Sequence, residues 1–256
     1  MNKVKALMLR APGTNRDVDT QIALEMVGAE VESALVTELF RQEKRLSDYH
    51  LAIIPGGFTY GDDISAGRIM ANEIRLRLGE DIKKFIADGR LLLGICNGFQ
   101  VLVKTGILPG IPGQSAQPVT LTNNDSGKFE CRWVYLKVNP KSPCVFTKGI
   151  KMMYVPVAHG EGKLMPEPGV LEKLNIVVQY TDEKGNTGAG YPANPNGSVE
   201  DIAGICDASG RIFGLMPHPE DFIRWTQHPR WTREKERLDL YGLQIFSNAV
   251  AWSKGI

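Results

Sequence analysis

Cys96 is the residue of this sequence best placed to do covalent chemistry. It is the centre of a Gly-x-Cys-x-Gly motif (94–98) that follows an apolar run and precedes a helix-like segment. This is the nucleophile-elbow pattern with Cys in place of Ser. The glycines permit a sharp turn, and the positive end of a helix favours thiolate over thiol. We interpret Cys96 as a nucleophile. The alternative is a small buried cysteine at a tight strand–helix junction, because short motifs of this kind also occur by chance.

A thiolate nucleophile needs a general base, and His218 has the most suitable context. It lies between two prolines that stiffen the end of the strand-like run 212–216. Glu220, two residues on, can hydrogen-bond the imidazole and fix its tautomer. The three side chains would form a Cys96-His218-Glu220 triad at strand carboxyl ends, where open α/β sheets bind ligands.

The other histidines are weaker candidates for the base. His159 is the real competitor, because Glu161 also follows it by two residues and glycines surround it, but the strand signal before it is weaker. His50 precedes a strand and His228 lies in a charged segment, which favours surface positions for both.

Acyl transfer also needs hydrogen-bond donors for the oxyanion. One candidate is the backbone amide of Asn97, directly after the nucleophile. The other is the turn Gly56-Gly57, where the lack of side chains lets amides approach a ligand. Without the rest of the site, this turn would be interpreted as an ordinary β-turn.

The segments around these residues predict an α/β fold. Apolar strand-like runs alternate with helix-like segments in the first hundred residues, which favours a parallel sheet with helices on both faces. The second half has strand-like runs, a hairpin-like turn at 207–210 and an amphipathic end. The predicted strands are 4–9, 31–36, 51–54, 91–95, 133–138, 176–180, 202–206 and 212–216, and the predicted helices are 17–27, 69–87 and 238–252.

The composition is that of an ordinary globular chain and excludes several functional classes. The 256 residues are 43% hydrophobic and 23% charged, with a net charge of +1, so there is no basic field for nucleic acid or anionic lipid. No apolar run is long enough to cross a membrane, and the one near the N-terminus is too short for a signal peptide. The cysteines form no zinc-like cluster and fit a reducing cytoplasm. Three of them, Cys131, Cys144 and Cys206, are interpreted as core or surface residues without a chemical role.

Three motifs in order resemble the class I glutamine amidotransferases. They are the stretches 53–58, 94–100 and 216–220. The resemblance implies a doubly wound, flavodoxin-like α/β domain over residues 1–256, with a mostly parallel sheet and an antiparallel extension. It implies that Cys96 is the nucleophile, His218 the base and acid, and Glu220 its orienting partner. The oxyanion hole would be formed by Gly57 and Asn97, and the substrate pocket by Gly56, Gln100 and His159.

Further stretches resemble one branch of that family, the glutaminase subunits of phosphoribosylformylglycinamidine synthase. These are 57–62, 127–134, 158–162, 194–198 and 202–206. The resemblance implies hydrolysis of glutamine, with the ammonia passed to a separate synthetase that makes formylglycinamidine ribonucleotide in purine synthesis. It also implies a small bridging subunit, ATP and Mg²⁺ on the synthetase, and no cofactor on this chain.

This sequence departs from that pattern in three places. The loop 62–68 is not the commonest version, Lys128 replaces a usual arginine, and the segment 224–240 is rich in charge and tryptophan. These departures bear on partner docking more than on the triad.

Other functions fit part of the pattern. A glutaminase serving a pyridoxal, histidine or anthranilate pathway would have the same triad. A catalytically silent scaffold of the same fold has no reason to keep Cys96, His218 and Glu220 together. A cysteine-dependent α/β hydrolase or protease is disfavoured by the context of Gln100 and the Gly56-Gly57 turn.

Overall fold

The computed structural model describes residues 3–113 and 117–255 of the chain. Strands in this part of the chain form a large sheet of nine strands and a small sheet of two. The strands are β1 (Val4–Arg10), β2 (Ala29–Leu35), β3 (Leu51–Ile54), β4 (Leu91–Ile95), β5 (Val119–Asn123), β6 (Glu130–Val138), β7 (Met152–His159), β8 (Glu161–Pro166), β9 (Asn175–Thr181), β10 (Ile202–Cys206) and β11 (Ile212–Leu215).

The large sheet is parallel on one side and antiparallel on the other. Its order is β2-β1-β3-β4-β11-β10-β9-β6-β7. The first five strands pair in parallel, and β11, β10, β9, β6 and β7 then follow in antiparallel pairs. This confirms the predicted α/β fold with an antiparallel extension.

The central strands β3, β4, β10 and β11 are buried at every residue. Strands buried on both faces are continuous apolar runs, as expected in a sheet covered by helices. The α-helices in the described part of the chain are α1 (Asp17–Met26), α2 (Val36–Phe40), α3 (Arg68–Glu73), α4 (Gly79–Ala87), α5 (Asn97–Lys104) and α6 (Leu243–Ser253). Two of the helical groups that flank the sheet are α1 packed against α6, and α3 packed against α5.

Two predicted helices differ from the structure. The segment 69–87 is divided, because a π-helical turn, Ile74–Leu78, separates α3 from α4. The last helix begins at Leu243 rather than at 238, since the Gly242 amide donates to the Phe222 carbonyl at 3.0 Å, outside any helix. Residues 238–240 form a separate 3₁₀ turn.

The two strands that carry the predicted nucleophile and base are neighbours in the large sheet. β4 ends directly before Cys96, and β11 ends three residues before His218. The strands pair in parallel, with Ile95 opposite Leu215, so both side chains emerge at one edge of the sheet. Among the described residues, no helix is both long and apolar enough to span a lipid bilayer.

Candidate active site

Cys96 lies in a sharp turn between β4 and α5. Its φ of 51° and ψ of −105° are strained values for a non-glycine residue. The turn is held by the Cys96 amide, which donates to the Leu215 carbonyl at 2.8 Å. Cys96 is buried at the first turn of α5, and its sulfur lies 3.6 Å from the Ala158 carbonyl oxygen. This is the geometry of a nucleophile elbow.

The elbow leaves no room for side chains at its two glycines. A Cβ on Gly98 would lie 1.9 Å from the Ile54 carbonyl oxygen, and one on Gly94 would lie 2.7 Å from the Gly98 backbone. Contacts this short between non-bonded atoms force the backbone to move. Both glycines therefore allow α5 to approach the sheet closely enough to hold the turn.

His218 and Glu220 form a buried pair beside the elbow. His218 Nδ1 lies 2.6 Å from Glu220 Oε1, and the two residues are 1% and 0% exposed. The His218 amide donates to the Pro156 carbonyl of β7 at 2.8 Å, which fixes the backbone of the pair. The other ring nitrogen, Nε2, is buried and makes no hydrogen bond within the described residues. That nitrogen is available for proton transfer.

The charges around His218 favour its protonated form. Burial alone would lower the pKa of the imidazole, but the Glu220 carboxylate and the nearby Cys96 sulfur outweigh it and hold the pKa well above 6.5. An imidazolium next to the sulfur stabilises a thiolate. The next residue, Asp221, has a pKa raised to about 6 by burial and by Glu220, and it pairs with Arg16 at 3.3 Å.

The Gly57 amide, a predicted oxyanion donor, takes no part in the hydrogen bonds of the bridge beside it, and its oxyanion role stays a prediction. Residues Thr14 and Gly57 form an isolated antiparallel bridge. Its hydrogen bonds run from Phe58 to Gly13 at 3.0 Å and from Arg16 to Gly56 at 3.3 Å, so they do not engage the Gly57 amide. The φ of Gly57 is 143°, and a Cβ there would lie 2.7 Å from the Asn15 nitrogen. This conformation and this crowding require glycine.

The structure shows a packing reason for glycine at position 56. A Cβ on Gly56 would lie 2.7 Å from His218 Cε1. Its missing side chain therefore makes room for the imidazole. Contact of Gly56 with substrate stays a prediction.

The side chains of Asn97 and Gln100 are held by the protein itself. Asn97 accepts a hydrogen bond from the Thr59 hydroxyl at 2.6 Å and donates to Asp62 and to Gln100, each at 3.0 Å. The Gln100 amide nitrogen donates to the Glu161 carbonyl at 2.5 Å. These bonds fix the first turn of α5 against β8 and the loop after β3. Substrate binding by Gln100 stays a prediction.

His159 is a buried neutral histidine. It is 3% exposed, and its Nδ1 lies 3.1 Å from the Asn124 side-chain oxygen. Burial and the charge of His218 lower the pKa of His159 to about 4. A histidine with this pKa is a weak base and has no extra proton to donate near pH 7, so His218 is the better candidate for proton transfer. The remaining candidates, His50 and His228, lie elsewhere; His228 is buried rather than exposed as predicted.

Two cavities meet at Cys96. The larger, of about 430 Å³, is bounded by residues that include Gln100, Lys128, His159 and Glu161. The smaller, of about 260 Å³, is bounded by Asn15, Arg16, Cys131 and His218 among others. Cavities of the first size accommodate an amino acid. A third cavity of about 650 Å³ lies around the π-helical turn and contains none of the triad.

Sequence reasoning missed a buried ionic network behind the larger cavity. Lys104, at the end of α5, donates to the Ala66 carbonyl and to the Ser65 hydroxyl, and it lies 3.8 Å from the Glu161 carboxylate. Burial lowers the pKa of Lys104. The network holds the loop after β3 against β8. No pattern around Lys104 marks it, because its partners are 38 to 57 positions away in the sequence. Within residues 3–113 and 117–255, no group of three or more His, Cys, Asp or Glu side chains is arranged to hold a metal ion.

Comparisons with known proteins agree with this geometry. The model of the CobB/CobQ-like glutamine amidotransferase domain matches residues 3–253. The chain is 57% identical to phosphoribosylformylglycinamidine synthase subunit PurQ of Dehalococcoides mccartyi over the whole of both chains. It is 37% identical to the same subunit of Pyrococcus furiosus, over 97% of this chain and 98% of the relative.

Among solved structures, PurLQS from Thermotoga maritima has a matching chain with a TM-score of 0.74 and 32% identity, covering 98% of this chain and 99% of that one. The match includes the antiparallel half of the sheet as well as the parallel half. With its cysteine elbow, buried His-Glu pair and full-length relatives, the chain belongs to the PurQ family of glutamine amidotransferases.

Proposed function

We propose that the chain is the glutaminase subunit of phosphoribosylformylglycinamidine synthase. Glutamine is hydrolysed to glutamate and ammonia, and a synthetase uses the ammonia to make formylglycinamidine ribonucleotide in purine biosynthesis. The observation that carries the proposal is the buried triad. Cys96 occupies a strained elbow next to a histidine whose pKa is raised and whose Nδ1 is held by a carboxylate.

The reaction begins with attack of the Cys96 thiolate on the side-chain amide carbon of glutamine. A carbon–sulfur bond forms, and the carbonyl π electrons move to the oxygen. The backbone amides of Gly57 and Asn97 donate to that oxyanion. Removing one donor of this kind typically raises the barrier by about 3 kcal/mol.

The tetrahedral intermediate then loses ammonia. His218 transfers its Nε2 proton to the amide nitrogen, the carbon–nitrogen bond breaks, and a thioester remains on Cys96. Water attacks the thioester, and His218 accepts a proton from it. Glutamate leaves, the thiolate is restored and the imidazole is again protonated. Glu220 holds the imidazole in the tautomer that both steps need.

The larger cavity is the proposed glutamine site. Its boundary contains Gln100, Lys128, His159 and Glu161 next to the nucleophile. Lys128 is exposed there and offers a positive charge for the substrate's α-carboxylate, while the Glu161 carboxylate faces the loop after β3.

The proposed partners are a PurL synthetase and a small third subunit that bridges it to this chain. The similarity to a chain of PurLQS supports such a complex. ATP and Mg²⁺ are expected on the synthetase, and no cofactor is expected on this chain. We also propose that residues 1–256 act as one domain, and that the enzyme works in the cytoplasm, a reducing compartment in keeping with four free thiols.

The test is mass-spectrometric mapping of the folded chain after reaction with a glutamine-like diazoketone, with and without excess glutamine. Labelling confined to Cys96 and blocked by glutamine is the expected result. Cys131 is the internal control, because it is an exposed thiol next to the site and should resist a reagent that needs the glutamine pocket. Failure to label any cysteine, with the synthetase present, would favour the silent scaffold.

Substitution separates the two halves of the reaction. Cys96→Ala should abolish synthesis from glutamine and preserve synthesis from ammonium salts, measured in the complex with the synthetase and bridging subunit. Loss of both activities would indicate a structural defect. Activation of a pyridoxal, histidine or anthranilate synthetase instead would identify another acceptor pathway.

A further inference from the structure

The two cavities at Cys96 share one wall. Five residues bound both of them, and two of these are the aromatic residues Phe58 and Phe129. Their ring centroids are 6.2 Å apart with an angle of 29° between the planes, which is a stacked arrangement. The aromatic pair therefore stands between a cavity on the Gln100 side and a cavity on the His218 side.

The aromatic pair is unusually exposed for large apolar side chains. Phe58 is 43% exposed and Phe129 is 51% exposed, although each also faces the cavities. The two residues come from distant parts of the chain, the loop after β3 and the residue before β6. An aromatic pair that is half exposed is held only weakly by its own stacking, so it can separate and re-form as glutamine enters.

The proposed chemistry puts ammonia in the smaller cavity and glutamine in the larger one. His218 bounds the smaller cavity, and His218 protonates the departing nitrogen. Ammonia is therefore produced at the boundary of the smaller cavity. Lys128, which suits the carboxylate group of glutamine, bounds the larger one.

We propose that the Phe58–Phe129 pair is a partition that keeps newly formed ammonia on the His218 side of Cys96. This inference rests on the proposed glutaminase function. Glutamine enters through the larger cavity, and its bound carbon skeleton together with the aromatic pair closes that path. Ammonia, a small neutral molecule, leaves through the smaller cavity past Asn15, Arg16 and Cys131. Loss of the partition would let ammonia escape into solution through the glutamine entrance.

The experiment measures the coupling ratio, which is the amount of synthetase product formed per glutamate released. The complex is assayed at saturating glutamine, and free ammonia in solution is measured in parallel. Phe129→Ala should lower the coupling ratio at least threefold and raise free ammonia by the corresponding amount, while glutamate release continues. Phe129→Tyr is the matched control, because it keeps the ring, and its ratio should equal that of the unsubstituted protein.

A second variant tests the exit directly. Cys131→Phe puts a ring into the smaller cavity and should also lower the coupling ratio at least threefold. Synthesis from ammonium salts should be unchanged in every variant. Circular dichroism and complex formation establish that each variant is folded.

Three results would overturn the partition. An unchanged ratio in both Phe129→Ala and Cys131→Phe would show that ammonia does not depend on this route. Loss of glutamate release in Phe129→Ala would make the ring part of the glutamine site instead. Absence of glutamate release from the unsubstituted complex would contradict the proposed function itself, which separates the two failures.

Discussion

At the scale of single residues, the site contains two buried histidines whose pKa values are shifted in opposite directions. His218 is buried next to a carboxylate, and its pKa is raised well above 6.5. His159 is buried next to an amide, and its pKa is lowered to about 4. Burial lowers the pKa of both, so the neighbouring groups decide which one carries a proton near neutral pH: Glu220 and Cys96 raise the pKa of His218, and the charge of His218 lowers that of His159 further.

The first prediction concerns the partner of His218. Glu220→Gln removes the negative charge that raises the pKa of the imidazole, so the alkaline limb of kcat/KM for glutamine should move to lower pH. The rate should also fall by roughly 10²–10⁴, since the tautomer is no longer fixed. A pH profile of glutamate release by the complex provides the measurement. An alkaline limb that stays in place would separate Glu220 from the titration of His218.

The second prediction concerns the stability contributed by His159. Its pKa is lower in the folded protein than the usual 6.5, so the unfolded state binds more protons between pH 6.5 and pH 4. Neutral His159 therefore contributes fully to the free energy of unfolding above pH 6.5. As the pH falls to about 4, this contribution is lost and the free energy of unfolding drops by roughly 3 kcal/mol.

Urea unfolding at several pH values checks this. His159→Gln should flatten the acid dependence between pH 6.5 and 4. His218 does not confound the comparison, because a raised pKa gives a contribution that is lost only at higher pH. If the free energy of unfolding changed equally with pH in the two proteins, the lowered pKa of His159 would be contradicted.

At the scale of elements, the elbow depends on how closely α5 approaches β3. The third prediction is that Gly98→Ala destabilises the fold by about 2–4 kcal/mol, because its Cβ would overlap the Ile54 carbonyl. Gly79→Ala is the control. Gly79 is in helical conformation, with φ −55°, and a Cβ there meets nothing within 4 Å.

Thermal and urea unfolding of the two variants give the comparison. Gly79→Ala should be stabilising by about 0.5–1 kcal/mol, because alanine favours the helix more than glycine does. Gly98→Ala should also lose glutaminase activity. Equal stability of the two variants would show that the close approach of α5 is not needed.

The sequence predicted the strands of the central sheet well, and the reason is burial. The bounds of β3, β4 and β10 match the predicted runs, because strands covered on both faces are uninterrupted apolar segments. The strands β5, β7 and β8 were not predicted. β7 contains Pro156, which is typical of an edge strand, and β7 does lie at the edge of the sheet.

The candidate site residues that could be predicted are those that lie in a short sequence motif. The sequence singled out Cys96 and the His218-Glu220 pair, which the structure brings together, because the elbow and the strand end are local patterns. The roles of Asn124, Lys104 and Arg16 were not, because each acts through contacts with distant residues. Asn124, for example, accepts from the Gly162 amide at 3.1 Å and donates to the His159 carbonyl at 2.8 Å.

At the scale of the whole molecule, the segment 224–240 packs on aromatic side chains of β6 and β7 at the end of the large sheet. His228 is 3% exposed and stacks on Trp225, with centroids 4.5 Å apart and 12° between the rings. It also lies within 6 Å of the rings of Trp133, Tyr154 and Phe222. His228 is therefore the buried contact that joins this segment to the sheet.

The fourth prediction is that His228→Ala releases this segment. The loss of a buried ring should lower the free energy of unfolding by about 2–3 kcal/mol. Limited trypsin digestion should then cut faster at the exposed Arg230 and Arg233. Trp231→Ala, at a half-exposed indole, is the control and should change stability by no more than about 0.5 kcal/mol. Identical digestion of both variants would contradict an anchoring role for His228.

The exposed thiol in the smaller cavity has a consequence for inhibitor design. Cys131 is a free, accessible cysteine that bounds the same 260 Å³ cavity as Cys96 and His218. An electrophile anchored on Cys131 would fill that cavity and block the approach of His218 to the reacting nitrogen. Such a compound would need no resemblance to glutamine, so its selectivity among glutamine-using enzymes would come from the position of a second cysteine rather than from the shared substrate pocket.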